Sequence, residues 1–175
     1  MQTRIGNPGS ALIIAIALML VAAACSNDSS WGDARYTAEM RNVEGEPIGT
    51  VVMQQGSGGF LVTVMLEGIE PGPHGIHIHS VGTCTPDFKA SGGHINVDNR
   101  QHGLLNSDGP DNGDLPNIYA AADGTVQAEL FTTLVDPDLL MDADGSAIVV
   151  HENRDDHNTQ PIGGAGGRIA CGVLN

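Results

Sequence analysis

The sequence predicts an all-β domain, an eight-stranded Greek-key β-barrel or sandwich with two long functional loops. Two observations predict this fold. The chain has 24 glycines among 175 residues, and its turn-forming residues are spread along its whole length, as in proteins of short strands joined by turns. Apolar and β-branched residues alternate or cluster in short runs, and no run outside the N-terminus has the length and period of a helix. A chain of this length makes one domain the default.

Eight segments carry the strand signal: 34–42, 48–55, 59–67, 74–80, 117–122, 125–132, 146–152 and 167–173. Short strands of this kind usually build an antiparallel sandwich or a Greek-key barrel. Two long connections, 81–115 and 152–167, interrupt the strands. Connections of this length without secondary structure are usually functional, so we expect the site to lie there.

The N-terminus has the features of an export signal. Arg4 precedes an apolar run over 11–24 that is short for a membrane span and typical of a signal peptide. The run ends in Ala-Ala-Ala-Cys25, which resembles a bacterial lipobox with cleavage before Cys25 and lipid on its sulfur. An ordinary signal peptide that leaves Cys25 as a spare thiol is the alternative.

The predicted organisation is a lipoprotein-type signal peptide over 1–24, a flexible tether over 25–33 and the folded domain over 34–175. We therefore expect an exported lipoprotein, anchored in a membrane and facing the periplasm or the cell exterior. The formal net charge of −14 argues against nucleic acid as a partner, because no basic patch is available.

Two further cysteines, Cys84 and Cys171, lie in the predicted domain. In an exported protein the economical interpretation is one disulfide that closes a very long loop. Two unrelated free thiols are the first alternative. A cysteine–metal site is the second, although the cysteines lack a Cys-x-x-Cys spacing. The sequence favours the disulfide.

The stretch 74–80, HGIHIHS, concentrates histidines on a predicted strand. Successive side chains of a strand point to opposite faces, so His77 and His79 share one face and Ile78 takes the other. Two neighbouring imidazoles on one face suit a metal ion better than they suit an apolar core.

The remaining histidines fall in the long connections and at their edges. His94 and His102 lie in the first connection, and His151 ends an apolar strand where the second begins. One histidine at the end of a buried strand is more often a satisfied core residue than a ligand. Several histidines in one arrangement favour a metal site instead. We expect His74 and His157 to be surface residues.

Five ordered motifs make the chain resemble a copper-zinc superoxide dismutase of the bacterial exported kind. They are GIHIH at 75–79, GGHINVDNRQHG at 92–103, NGDLPN at 112–117, VVHENRDD at 149–156 and GGAGGRIACGV at 163–173. The resemblance implies the sandwich architecture for which this family is itself known. It also implies conversion of superoxide to oxygen and hydrogen peroxide by copper redox cycling. A non-catalytic copper-binding or storage lipoprotein of the same fold is the alternative, and a purely structural domain is a third class.

The resemblance also assigns residue roles. It implies four copper ligands, His77, His79, His94 and His151, and two zinc ligands besides the bridging His94, namely His102 and Asp114. Catalytic roles fall to Arg168, which would bind the anion beside copper, and to His94, which would carry a proton. Asp155 would hydrogen-bond ligand histidines of both metals, and Cys84 would pair with Cys171.

Asp111 departs from the pattern of the family, which normally has a histidine three residues before the aspartate of the zinc site. A carboxylate can bind zinc, so His94, His102, Asp111 and Asp114 form an expected tetrahedral set that is more anionic than usual. We expect one copper and one zinc per subunit, with a copper-only enzyme as the alternative. The expected substrate is the superoxide anion, and both a homodimer and a monomer fit the sequence.

Overall fold

A computed structural model describes residues 35–175, together with Gln2. The predicted signal peptide, the tether and Cys25 lie outside the described residues. Nine strands form the domain: β1 Arg35–Asn42, β2 Pro47–Gly56, β3 Gly59–Leu66, β4 Gly72–His74, β5 Ile76–His79, β6 Ile118–Ala120, β7 Val126–Thr132, β8 Ala147–His151 and β9 Arg168–Val173. A 3₁₀ turn spans Phe88–Ser91 and a short helix, α1, spans Pro137–Leu140. In this part of the chain, every helix is too short or too polar to cross a membrane.

The strands form a curled antiparallel sheet in the order β5-β8-β9-β1-β2-β3-β7, and β4 pairs with β6 in a second sheet. The second sheet lies between the two ends of the first, because β6 contacts β7 and β4 leads directly into β5. β9 returns from the end of the chain to pair with β1, the long return that defines a Greek key. The all-β prediction is confirmed.

Strand alternation positions the core. On β3, Phe60, Val62 and Val64 point inward and are buried, whereas Leu61 and Met65 point outward. β8 differs, because all five of its residues are buried. It lies between β5 and β9, so the strand that ends at His151 has a neighbour on each side.

The predicted strand over 74–80 is two strands, which makes nine strands instead of the expected eight. β4 and β5 have different partners, since β4 pairs with β6 and β5 pairs with β8. Gly75 lies between them, where its N–H donates to the oxygen of Asn153 and its oxygen accepts from His151 N–H. The chain therefore changes partner sheets at Gly75, a change that the hydrophobic pattern does not encode.

The expectation of no helix is wrong for two segments of four residues each. Both segments begin at an aspartate whose carboxylate accepts a backbone N–H: Asp87 before the 3₁₀ turn and Asp136 before α1. Pro137 then occupies the first turn of α1. Capping interactions of this kind can stabilise a single turn. A single turn is too short to show the apolar period by which a helix is recognised in a sequence.

The prediction that His74 and His157 are surface residues is wrong. His74 is 4% exposed; its Nδ1 lies 2.8 Å from the oxygen of His151 and its Nε2 lies 2.7 Å from the oxygen of Glu70. His157 is half-buried, and its Nε2 lies 2.9 Å from Asn117 Nδ2. Both rings make hydrogen bonds between segments that surround the site. Neither histidine belongs to a recognisable hydrophobic period in the sequence.

Candidate metal centre

Five imidazole rings converge where β5 and β8 end. β5 projects His77 and His79 to the same side, and β8 ends at His151. His79 and His94 pair through their main chains in an isolated antiparallel β-bridge, which places the first long connection beside β5. The ring centroid of His77 lies 4.1 Å from that of His94, 4.9 Å from that of His151 and 5.5 Å from that of His102.

The first ligand set contains only imidazoles. One nitrogen from each of four histidines lies within 4.8 Å of the others: His77, His79, His94 and His151. All four side chains are buried. A ring of neutral imidazoles suits copper, which needs ligands that tolerate both of its oxidation states.

Hydrogen bonds determine which nitrogen of each ring faces this set. His79 Nδ1 donates to the oxygen of Gly92 at 2.9 Å, and His151 Nδ1 donates to the oxygen of Gly166 at 3.3 Å. His77 Nε2 donates to Asp155 Oδ2 at 2.7 Å. The opposite nitrogens carry lone pairs and have no partner, although they are buried: His77 Nδ1, His79 Nε2, His94 Nε2 and His151 Nε2. Buried polar atoms are rarely left unsatisfied, so this donor set fits a metal ion.

The second ligand set mixes imidazoles and carboxylates: His94, His102, Asp111 and Asp114. His94 Nδ1 lies 3.0 Å from Asp111 Oδ2 and 3.5 Å from Asp114 Oδ1. His102 Nδ1 lies 2.5 Å from Asp114 Oδ1; both atoms are buried, and neither has another hydrogen-bond partner. Two nitrogens and two carboxylate oxygens fit tetrahedral zinc, and Asp111 lies where a ligand is needed.

Asp155 connects the two sets. Its side chain is fully buried, and its carboxylate accepts from His77 Nε2 at 2.7 Å and from His102 Nε2 at 3.1 Å. Burial raises the pKa of Asp155, but the hydrogen bonds from His102 and His77 outweigh it and hold the pKa well below its usual range. The charged carboxylate therefore orients one ring of each set.

Burial also sets the charge of the imidazoles. It lowers the pKa of His77 to about 3, that of His79 to about 2 and that of His151 to about 4. These rings are neutral at pH 7, the form that binds metal. His102 differs, because the hydrogen bonds to Asp114 and Asp155 outweigh its burial and raise its pKa to about 10.

Arg168 begins β9 beside the first set. Its Nη1 donates to the oxygen of Phe88 at 2.6 Å and to Ser91 Oγ at 3.0 Å, and its Nη2 donates to the oxygen of Gly92 at 2.7 Å. These bonds hold the guanidinium at a cavity of about 420 Å³ that reaches both sets. Its lining includes His79, His94, His102, Asp111, Arg100 and Arg168.

A disulfide joins Cys84 to Cys171, as the sequence predicted. Cys171 lies on β9, three residues after Arg168, and Cys84 lies in the connection that carries the 3₁₀ turn. The disulfide therefore links the first long connection covalently to β9, and residues of the same connection accept hydrogen bonds from Arg168 on β9.

Sequence reasoning missed several groups that support the site. Asn117 accepts from Asp155 N–H through its side-chain oxygen and donates to the oxygen of Asp155. Gly92 and Gly166 contribute only their carbonyl oxygens. Asn117 lies in the NGDLPN motif, which was a signal that could have identified it. A main-chain oxygen leaves no such signal in the sequence, because every residue has a main-chain oxygen.

The fold and the site define a curled antiparallel β protein with two adjacent ligand sets that could each hold a metal ion, one set of imidazoles and one of imidazoles and carboxylates. The copper/zinc superoxide dismutase family matches residues 47–174. The chain belongs to this family.

The relatives agree with this assignment. A Cu-Zn superoxide dismutase of Caulobacter vibrioides is 49% identical over 146 residues, which cover 79% of this chain and 84% of that protein. A second such enzyme, from Aquifex aeolicus, is 37% identical over 169 residues, or 93% of this chain and 96% of that protein. The structure of Cu/Zn superoxide dismutase from Brucella abortus matches with a TM-score of 0.72 at 30% identity, and covers 81% of this chain and 100% of that chain.

Proposed function

We propose that this protein is a superoxide dismutase that converts superoxide to oxygen and hydrogen peroxide. The observation that carries the proposal is the set of four buried imidazole nitrogens without partners, adjacent to Arg168. Copper, when bound by these imidazoles, supplies the one-electron redox chemistry that the reaction needs. His77, His79, His94 and His151 would hold it.

Arg168 binds and orients the anion in this proposal. Three acceptors already fix its guanidinium at the cavity, so it loses little side-chain freedom when the anion arrives. A fixed cationic donor forms shorter and stronger hydrogen bonds to an anion than a neutral donor does.

His94 supplies a proton to the departing peroxide. Its ring lies between the two ligand sets, with Nδ1 towards Asp111 and Asp114 and Nε2 towards the imidazole set. Contacts at Nδ1 keep the ring in place, so Nε2 would carry a proton at a constant position whenever copper does not occupy that nitrogen.

The test is direct observation of superoxide decay by protein loaded with one equivalent of copper, with and without zinc. Fast decay in either form supports the proposal. Bound copper without accelerated decay would instead favour the copper-storage alternative. Arg168 favours the dismutase, because storage alone needs no anion-binding residue.

A zinc ion at the second set is also part of the proposal, with His94, His102, Asp111 and Asp114 as its ligands and one copper and one zinc per subunit. The 3.0 Å contact of Asp111 with His94 and the 2.5 Å contact of His102 Nδ1 with Asp114 support it, because they bring the four ligand groups together. Metal analysis after dialysis against a weak chelator tests the stoichiometry. One copper with no zinc would favour the copper-only alternative.

We further propose that the protein is exported and held at a membrane by lipid on Cys25. The disulfide supports export, because disulfides persist in oxidising compartments. Mass spectrometry of the mature N-terminus tests both points, since it identifies the cleavage site and the lipid. A Cys25→Ser variant that remains membrane-bound would contradict the anchor.

A homodimer is the assembly that we propose. Three large apolar side chains on the outer face of β3 and β7 support it: Leu61 at 38% exposure, Met65 at 54% and Phe131 at 52%. Leu61 and Phe131 face each other in register across the two strands. Exposed apolar patches of this kind mark interaction surfaces. Light scattering of the wild type and of Phe131→Glu tests the proposal, and a monomeric wild type would overturn it.

A further inference from the structure

Arg100 is a second guanidinium at the active-site cavity. It lies in the first long connection, two residues before His102, and lines the cavity together with Arg168. These are two of the six cationic side chains among residues 35–175, and both line a cavity that also contains the ligand imidazoles. In a chain with a formal charge of −14, this concentration of positive charge is local.

The surrounding loop fixes the position of Arg100. Its backbone N–H donates to Asn96 Oδ1 at 2.9 Å, and its oxygen accepts from Asn96 Nδ2 at 2.7 Å. Its Nη1 donates to the oxygen of Gly109 at 2.8 Å. Within residues 35–175, neither its Nε nor its Nη2 makes a hydrogen bond, and no carboxylate forms an ion pair with it. The exposed guanidinium is therefore anchored at one nitrogen and keeps its charge and its other donors available.

The charge of the second ligand set explains why a second arginine matters here. Asp111 and Asp114 together carry two negative charges, which cancel those of a divalent zinc ion. A set with a single carboxylate would leave one positive charge beside the path of the anion. Arg100 supplies one positive charge on the side of the cavity that the second ligand set lines. It lies in the same long connection as Asp111.

We propose that Arg100 is a second anion-attracting residue, which draws superoxide into the cavity and offsets the additional carboxylate of Asp111. The inference rests on the proposed dismutase function. Arg168 binds the anion beside the imidazole set, whereas Arg100 acts at longer range and from the side of the second set. A charge that acts at long range raises the rate of encounter and leaves the chemical step unchanged.

The test compares Arg100→Gln, Arg100→Lys and Arg41→Gln with the wild type, each loaded with copper and zinc. Arg41 is the control, because it also donates from Nη1 to a main-chain oxygen, that of Gly45 at 2.9 Å, and it does not line the cavity; it differs from Arg100 in that Glu39 Oε2 lies 3.8 Å from its Nη2. Arg41→Gln and Arg100→Gln change the net charge equally. Two quantities are measured: kcat/KM for superoxide across ionic strength, and the affinity of the copper(II) form for azide, from its charge-transfer absorption.

At low ionic strength we expect Arg100→Gln to lower kcat/KM and azide affinity by about two- to threefold, the effect of one unit charge at about 8 Å in water. Arg100→Lys should retain both values, and Arg41→Gln should change neither. The difference between Arg100→Gln and wild type should disappear at high salt, because screening removes a charge effect and leaves a structural defect.

Two results would overturn the inference. One is an equal effect of Arg100→Gln and Arg41→Gln, which would show that only net charge matters. The other is a loss in Arg100→Gln that persists at high salt and appears in Arg100→Lys, which would assign Arg100 to holding the Gly109 loop. The azide titration separates this inference from the proposed function. A wild type without dismutase activity would refute the function, while azide binding would still report on Arg100.

Discussion

His79 and Arg168 share one hydrogen-bond acceptor, the main-chain oxygen of Gly92. His79 Nδ1 lies 2.9 Å from this oxygen and Arg168 Nη2 lies 2.7 Å from it. One carbonyl therefore orients a metal-facing imidazole and the guanidinium that binds the anion. The 3₁₀ turn before Gly92 gives Arg168 its other acceptors, and the disulfide fastens this connection to β9.

This shared acceptor makes Arg168 the first residue to test. We expect Arg168→Gln to lower kcat/KM at low ionic strength by about tenfold to a hundredfold, because a hydrogen bond to a charged group contributes about 1.5–3 kcal/mol. Arg168→Lys should retain part of the rate, since it keeps the charge but cannot reach all three acceptors. Superoxide decay by stopped flow or pulse radiolysis measures both variants.

Ser91→Ala serves as the control for this experiment, because it removes one contact of Arg168 and keeps the guanidinium. The copper(II) EPR spectrum shows whether the His79 ring has moved. An unchanged rate in Arg168→Gln, with the copper spectrum intact, would remove Arg168 from the mechanism.

Asp111 determines how the second set binds zinc. Loss of a residue that only hydrogen-bonds to a metal ligand lowers metal affinity by roughly 10–100-fold. We expect Asp111→Ala to lower zinc affinity by more than this, because it removes a ligand itself. Asp111→His should retain zinc, since imidazole is an equivalent ligand. Competition with a chromophoric chelator measures zinc affinity in each variant.

Asp108→Ala is the matched control for Asp111, because Asp108 lies exposed in the same connection and outside the ligand set. Copper affinity should stay unchanged in Asp108→Ala and should fall less than zinc affinity in Asp111→Ala, since Asp111 contacts only His94 of the imidazole set. Equal zinc affinity in wild type and Asp111→Ala would show that Asp111 is not a ligand.

Gly163 allows the second long connection to fold back closely on its own Asp155. It has a φ of +60°, and a Cβ at this position would clash with Asp155 Oδ1. Gly164 has a similar φ of +69°, but nothing lies within 4 Å of its Cβ position. Both glycines therefore adopt a left-handed conformation, and only Gly163 lacks space.

We expect Gly163→Ala to lower the free energy of unfolding by about 2–4 kcal/mol, the sum of left-handed strain and displacement of a buried, hydrogen-bonded carboxylate. Gly164→Ala should cost only the strain, about 1–2 kcal/mol. Urea unfolding measures the difference, and zinc affinity should fall only in Gly163→Ala, because Asp155 orients His102. Equal behaviour of the two variants would show that contact with Asp155 is unimportant.

The sequence predicted those parts of the fold and the site that depend on side-chain pattern. Alternation located β3, and the His-x-His spacing placed His77 and His79 on one face. The position of Asp155 beside both ligand sets agrees with what the resemblance to the family implied, and no pattern in the residues alone predicts it.

Features that depend on the backbone were not predictable in this way. The partner change at Gly75 comes from main-chain hydrogen bonds, and the acceptor that His79 and Arg168 share is a main-chain oxygen. His74 lies outside any recognisable period, so the sequence carries no burial signal for it, yet its ring contacts the main-chain oxygens of Glu70 and His151. Long-range packing of loops decides such contacts.

The buried imidazoles make the stability of the protein depend on acidity. Burial lowers the pKa of His77, His79 and His151 to about 3, 2 and 4, whereas the unfolded chain has histidines near 6.5. A lowered histidine pKa contributes stability that is present above about pH 6.5 and is lost as the pH falls towards the folded values. Between these pKa values the three histidines are protonated in the unfolded chain and neutral in the folded protein.

We therefore expect the free energy of unfolding of protein stripped of metal by a chelator to fall between pH 6.5 and pH 4.5. Each of the three histidines contributes up to about 1.4 kcal/mol per pH unit. Urea unfolding at a series of pH values measures the slope, and His79→Gln should reduce it by about one third, since one of three equal terms is removed. Metal-loaded protein should be more stable at each pH, but its dependence should be at least as steep while the metal stays bound, because the metal also keeps protons off the rings of the folded protein. A slope that is flat in the stripped protein, or unchanged in His79→Gln, would show that these imidazoles take up protons as easily in the folded protein as in the unfolded chain.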